Sequence, residues 1–268
     1  MPELPEVEAV VRRLREQVAG ARIHSVHVER RSTIAPQHLE DFEVLVGKSI
    51  AGVRRRAKYI FVELSGGALL QVHLRMTGNL YVLPDYRLLP AAVRFWLRLK
   101  DGRALVFRDG RALGKVHLAT AADVAQLEAS LGPEPLDAAF TPAVLKGILK
   151  GLRGPVKPAL MDQKRIAGIG NIYASEALWR ARIDPRIAAG AVPARKVTAL
   201  HDTIVKVLEL AAESAYAEYS EPGTIAEAEG FDLAVYGRKG QACPRCGKAI
   251  ERIVQAGRST FFCAGCQA

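Results

Sequence analysis

The chain has 268 residues, 49% hydrophobic and 25% charged, so it can bury an ordinary core and a disordered chain is not expected. Its 38 Lys and Arg against 28 Asp and Glu give a net charge of +10, which favours a polyanionic partner, nucleic acid first and an anionic membrane surface second. No apolar run approaches the roughly 18 residues of a spanning helix and no signal-peptide pattern opens the chain, so a cytoplasmic protein is expected, with four cysteines that are not disulfides.

In the opening stretch MPELPEVEAV, Pro5 suits a first helical turn, and Val7, Val10, Val11, Leu14 and Val18 recur at helical spacing until Gly20. The period then changes to two. RIHSVHVER, SIAGVRRRAKYIFVEL, ALLQVHLRM, NLYVL, VRFWLRL and ALVF read as strands, with Ser65-Gly66-Gly67 and Asp101-Gly102 as hairpin turns. In VRRRAKYIF, alternation puts Arg54, Arg56 and Lys58 on one strand face, either a solvated edge or a wall of a polyanion groove. Residues 1–130 are expected to form a β-rich lobe with an N-terminal helix. The proline-bearing stretch LGPEPLDAAFTP marks a linker over residues 131–141. The segments VLKGILKGL, PALMDQKRI, NIYASEALWRARI and VTALHDTIVKVLELAAESAYAEY then read as helices, which gives an α lobe over 142–234 and a cysteine-bearing tail over 235–268.

In that tail CPRC and CAGC are sixteen residues apart, and Cys243, Cys246, Cys263 and Cys266 suit four thiolates around one structural Zn2+ with no open coordination position. IERIVQAGRSTFFC between them reads as two strands around Ala256-Gly257, with Arg258 at the tip of the hairpin. GIGNIYASEA joins two helices through a glycine turn with Asn171 as the cap of the second, which is either plain capping or an anion site of helix N–H groups. His73, Arg75 and Met76 in QVHLRMTG, and Arg111 in RDGRALG, are ordinary residues in isolation. Glu3 and Glu6 stand at a helix start, where a carboxylate complements the helix dipole. Pro2 is different, because removal of Met1 would make it a terminal amine, and a neutral amine beside an acid can attack electrophilic carbon and form a Schiff base.

Together, PELPEVE, RRAKY, HLRMTG, LGPEPL, MDQKRIAGIGNIYASEAL, VYGRKG and the four cysteines resemble the bacterial formamidopyrimidine-DNA glycosylase and endonuclease VIII superfamily over almost the whole chain. The resemblance implies an α+β protein: an N-terminal β-sandwich with its helix, a helix-two-turn-helix lobe and a four-cysteine zinc ribbon. It also implies a monomeric, nucleoid-associated bacterial enzyme of base excision repair, a DNA glycosylase and AP lyase acting on double-stranded DNA with a damaged base flipped from the stack. By that resemblance Pro2 attacks C1′ and Glu3 is the acid that assists ring opening, whereas Glu6, from its place at the helix start, is expected to be a structural acid. Lys58, His73, Asn171 and Arg258 contact phosphates, and Ile172 and Tyr236 support the same backbone. Met76 and Arg111 fill the void left by the flipped base, with Arg111 facing the orphaned partner.

Two regions depart from the family pattern. Where the family loop reads like DPRRFG, this chain has DGRALG, so that Gly110, Ala112 and Leu113 replace proline, arginine and the aromatic wedge. The lesion-capping region, AYAEYSEPGTIAEAEGFDLAVYG, lacks the usual Gly-Gly-Ser motif. Removal of oxidised purines is the first expectation. An endonuclease VIII-like preference for oxidised pyrimidines and a lesion-binding protein without turnover are the alternatives.

Overall fold

The computed structural model describes residues 2–219 and 227–267. Its first element, α1, runs Leu4–Val18, and the predicted apolar stripe of Val7, Val10, Val11, Leu14 and Val18 is buried along it. Two compact units follow, one of residues 1–129 with 212–229 and one of residues 130–211 with 230–268.

The first unit carries two four-stranded antiparallel sheets. One has the order β1 (Ile23–Val28), β6 (Val93–Leu99), β7 (Ala104–Asp109) and β5 (Gly78–Leu83); the other runs β2 (Ile50–Arg56), β3 (Tyr59–Leu64), β4 (Leu69–His73) and β8 (Lys115–Ala119). Alternation decides which side chains meet: Ile23, Leu97, Leu105 and Phe107 of one sheet share a core with Ile60, Val62, Leu70 and Val72 of the other and with the stripe of α1. Phe61 faces the opposite way into a smaller cluster with Val124 and Leu127 of a later helix, Ala121–Ser130, so β3 is buried on both faces. Two short helices, Arg31–Ile34 and Leu39–Phe42, the helix Ala121–Ser130 and strand β8 are additions to the expected elements.

The basic run is not one strand. Arg56 pairs with Tyr59 and Ala57 adopts φ 52°, so Ala57 and Lys58 form the two-residue turn between β2 and β3. Lys58 therefore does not share a strand face with Arg54 and Arg56. Arg54 stacks over Phe61 and bonds to Glu63 and Glu128, both at 2.9 Å, so its guanidinium is held by two carboxylates of its own unit.

In the second unit, Pro142–Leu149, Val156–Met161, Asn171–Arg180 and Ala194–Glu218 are helices, the last contributing residues to both units. PALMDQKRI is helical only as far as Met161. After it, Asp162 caps a turn and Gln163 holds the glycine bend, donating to the carbonyls of Met161 and Ile169 and accepting from Gly168 N–H, each at 2.8 Å. The 131–141 segment packs into this unit. A Cβ on Gly132 would stand 2.4 Å from the carbonyl carbon of Arg165, so only glycine lets the two backbones approach. Strands β9 (Glu251–Gln255) and β10 (Arg258–Phe262) form the ribbon hairpin.

Candidate functional site

Pro2 is buried immediately ahead of the N-cap residue of α1, which is Glu3, itself 3% exposed. Glu6 is fully buried one turn later. One of its oxygens accepts the N–H of Glu3 at 2.7 Å, and the other accepts the N–H of Ala228 at 3.1 Å. Its carboxylate thus serves the helix start and also fixes the turn at 227–230. Residues 220–226, the middle of the expected lesion-capping region, lie outside the described residues, as does Met1.

Lys58 is 6% exposed in the β2–β3 turn. The strand leading into that turn is tied to α1 through Arg55, whose Nε donates to Glu8 at 2.8 Å and whose Nη1 donates to the carbonyl of Ala57 at 3.0 Å. Burial pushes the Glu8 carboxyl up, but the hydrogen bonds and charges of Arg55 and Arg12 outweigh it and hold the group below the usual range.

His73, at the end of β4, packs its ring edgewise on Tyr59 of the adjoining strand. Its Nδ1 accepts the N–H of Arg75 at 3.0 Å, which leaves Nε2 as the N–H side of a neutral ring. Burial, with the charges of Arg75 and Lys58, pushes its pKa down to about 4. At neutral pH this imidazole is an uncharged donor.

Met76 and Arg111 sit on two exposed loops, with Leu113 beside Arg111; Met76 is 38% and Leu113 45% exposed. Both loops converge on Asp109, which is fully buried and which sequence reasoning missed. An Asp before Gly signals a turn and nothing more.

In the second unit, Lys157 is 1% exposed, and its Nζ donates to Asn171 Oδ1, to the carbonyl of Ser259 at 3.0 Å and to Thr260 Oγ1 at 2.9 Å. An ammonium has three protons, and all three are used. Gly170, not Asn171, holds the N-cap position of the helix Asn171–Arg180. The asparagine side chain turns instead to Lys157 and, through Nδ2 at 3.4 Å, to the hydroxyl of Tyr236. Ile172 is 3% exposed, so its side chain is core and only its main chain can meet a partner.

Glu176, a charged residue within the apolar run NIYASEALW, is fully buried; it accepts the N–H groups of Ala234, Val235 and Tyr236 at 2.9 to 3.0 Å and an ion pair from Arg180. That carboxylate sets the approach of the backbone to Tyr236. Arg258 is exposed at the start of β10, after a turn in which Ala256 and Gly257 adopt φ 46° and 70°.

The Sγ atoms of Cys243, Cys246, Cys263 and Cys266 lie within 4.8 Å of one another, with Cys243 to Cys266 at 3.8 Å and Cys246 to Cys263 at 3.5 Å. Zn–S bonds of about 2.3 Å set tetrahedral edges of about 3.8 Å, whereas a disulfide needs about 2.05 Å. The four thiolates therefore fit one structural zinc. Behind them the ribbon packs on Trp179, over which Arg245 lies at 4.1 Å.

Three family descriptions match in order: Formamidopyrimidine-DNA glycosylase N-terminal domain over residues 1–116, Formamidopyrimidine-DNA glycosylase H2TH domain over 131–220, and Zinc finger found in FPG and IleRS over 240–268. The chain belongs to the formamidopyrimidine-DNA glycosylase family. It is 42% identical over 275 residues to the formamidopyrimidine-DNA glycosylase of Chloroflexus aurantiacus, covering 100% of this chain and 98% of that one. The enzyme of that name from Xanthomonas campestris pv. campestris strain B100 is 38% identical over 270 residues, with both chains fully covered. Among solved structures, wild-type Lactococcus lactis Fpg with DNA containing N7-benzyl-Fapy-dG is similar at a TM-score of 0.90 and 32% identity, covering 99% of each chain. The same organism's Fpg with abasic-site DNA matches at 0.90 and 31% identity over 100% of each. Family membership bears out the expected sandwich, helical lobe and zinc ribbon, and makes the chain a DNA repair glycosylase with a structural zinc. No described helix is long and apolar enough to cross a membrane.

Proposed function

We propose that this glycosylase removes oxidised purines, formamidopyrimidines and 8-oxoguanine, from double-stranded DNA and then cleaves the strand as an AP lyase. The observation that carries the proposal is the placement of Pro2, buried directly ahead of a buried Glu3 at the N-terminus of α1. With Met1 removed, Pro2 ends in a secondary amine at the positive end of a helix, and burial and the helix dipole both favour its uncharged, nucleophilic form.

The amine attacks C1′ of the flipped nucleotide. The bond to the damaged base breaks and the base leaves with a proton, while Glu3 protonates the ring oxygen so that the sugar opens onto the amine as an iminium. Loss of the C2′ proton expels the 3′ phosphate, and a second elimination expels the 5′ phosphate. Lys58 and the Nε2–H of neutral His73 hold the phosphates next to the reacting sugar. Asn171, Tyr236 and Arg258, with the main chain of Ile172, hold the DNA backbone on the second unit, and zinc braces the hairpin that carries Arg258. Met76 and Arg111 occupy the vacated stack. The protein works as a monomer on nucleoid DNA.

The test is borohydride trapping with duplexes carrying 8-oxoguanine, formamidopyrimidine or an oxidised pyrimidine, with the crosslink mapped by mass spectrometry on protein shown to begin at Pro2. A crosslink at Pro2, strongest with the purine lesions, is expected, and Pro2→Gly should lose it while DNA affinity is kept. Strongest trapping on the pyrimidine lesion would transfer the enzyme to the endonuclease VIII-like reading. No crosslink with any duplex would sink the covalent mechanism.

A further inference from the structure

We propose that Asp109 is a positioning residue that locks Met76, Arg111 and Leu113 into one void-filling array; the proposal rests on the reading of Met76 and Arg111 given above. Asp109 ends β7 and is fully buried. Its Oδ1 accepts the hydroxyl of Thr77 at 2.5 Å and the N–H of Arg111 at 3.1 Å. Its Oδ2 accepts the N–H groups of Leu113 and Gly114, both at 2.7 Å. Thr77 Oγ1 also accepts the N–H of Arg111 at 3.2 Å.

One oxygen therefore joins the loop of Met76 to the loop of Arg111, and the other closes the second loop on itself. The nearby guanidinium of Arg94 is directed to main-chain carbonyls, those of Asp109 at 2.8 Å and Gly110 at 3.4 Å.

The loop's own main chain adds a bond from the N–H of Ala112 to the carbonyl of Asp109 at 3.3 Å. Gly110 stands where the family pattern has a proline, so its φ is not fixed by a ring, and a Cβ there would meet nothing within 4 Å. Ala112 adopts φ 54°, a left-handed conformation that an L side chain resists. At Gly114 a Cβ would fall 2.4 Å from Phe107 Cζ and 3.2 Å from Asp109 Oδ2, so glycine alone allows its N–H to reach the carboxylate.

The side chains that result are apolar or cationic and exposed, held from beneath by a buried acceptor. Apolar side chains held at two loops joined through one carboxylate are suited to stack against the faces of unstacked bases. A fixed array can support the orphaned base at no ordering cost when the lesion leaves the helix.

Asp109→Asn tests this. An amide keeps one acceptor and turns its NH2 on donors that need an acceptor, so one of the two oxygen positions is lost. Single-turnover excision of 8-oxoguanine opposite cytosine should fall about 30-fold, the effect of roughly 2 kcal/mol on a barrier. Cleavage of a single-stranded abasic site leaves no void to fill, and its loss should be at least about ten-fold smaller on the same scale. Discrimination between cytosine and adenine opposite the lesion should weaken in parallel. Thr77→Val cuts only the link between loops and keeps the closure at Leu113 and Gly114, so it should show the same selectivity at smaller size and stands in if the first variant folds poorly. Equal losses on both substrates would reduce Asp109 to a fold residue, and an unchanged duplex rate in Thr77→Val would sink the coupling of the loops. A parent enzyme that cleaves abasic strands but never discriminates the opposite base would overturn the void-filling reading itself.

Discussion

The two units hold their candidate residues by opposite means. In the first, the groups proposed for chemistry are withdrawn from water: Pro2, Glu3 and Lys58 are buried, and the nearby loops are organised around the buried carboxylates of Glu6 and Asp109. In the second, Arg258 stands in solvent at a hairpin turn, stiffened from below by the buried ammonium of Lys157 and by four thiolates. Burial tunes a nucleophile or an acid by removing its hydration. A phosphate contact needs no such tuning, because a guanidinium is charged at every working pH and requires only a fixed position. The difference fits the proposed division into a reacting half and a gripping half.

The sharpest way to break this comparison is to remove the zinc. A structural zinc contributes roughly 10–16 kcal/mol of apparent binding free energy in isolated fingers, far more than a two-stranded hairpin has of its own. Cys246→Ser or chelation should release the ribbon from Trp179 and lower DNA affinity by about 100-fold or more. The first unit should keep its own transition. Trp96 lies in the first unit and Trp179 in the second, so in a Trp179→Phe background fluorescence reports the first alone. Loss of both transitions together would show that the two halves fold as one.

His73 tests the reacting half with a smaller effect. Its folded pKa of about 4 lies below the ordinary 6.5, so between those values the unfolded chain binds a proton that the folded chain does not. Stability from this group is full above pH 6.5 and is lost as the pH falls toward 4, by up to about 3 kcal/mol. His73→Gln should flatten the acid limb of the stability profile. An imidazole resonance of His73 titrating near 6.5 by NMR would contradict the buried, neutral donor described above.

Much of the frame was legible in the chain. The stripe of α1, most strands of the two sheets, the hairpin turns and the cysteine spacing follow from periodicity and ligand geometry, which are local properties. The residues that were missed act across the fold. Glu176 gathers N–H groups from residues 58 to 60 positions away, Asp109 joins its own loop to the Thr77 hydroxyl 32 positions back, and Lys157 joins residues 14 and 103 positions away, Asn171 and Thr260, so their immediate neighbours alone do not announce these links. Strand alternation also put Lys58 on one face with Arg54 and Arg56, because a two-residue turn at Ala57 is invisible when alanine takes a conformation that usually asks for glycine or asparagine.

That misassignment gives the smallest and most specific test. If Arg258 touches one phosphate, Arg258→Ala lowers the slope of log affinity against log salt by about 0.9, and Arg258→Lys restores the slope while losing the two-pronged contact. Arg54 carries the same charge on the first unit but is held by Glu63 and Glu128, so Arg54→Ala should leave the slope where it was. Only stability should change, and modestly, since partly exposed ion pairs contribute about 1 kcal/mol or less each. A slope that falls equally in both variants would mean that any positive charge on this basic chain serves, and that the gripping half has no fixed geometry to offer.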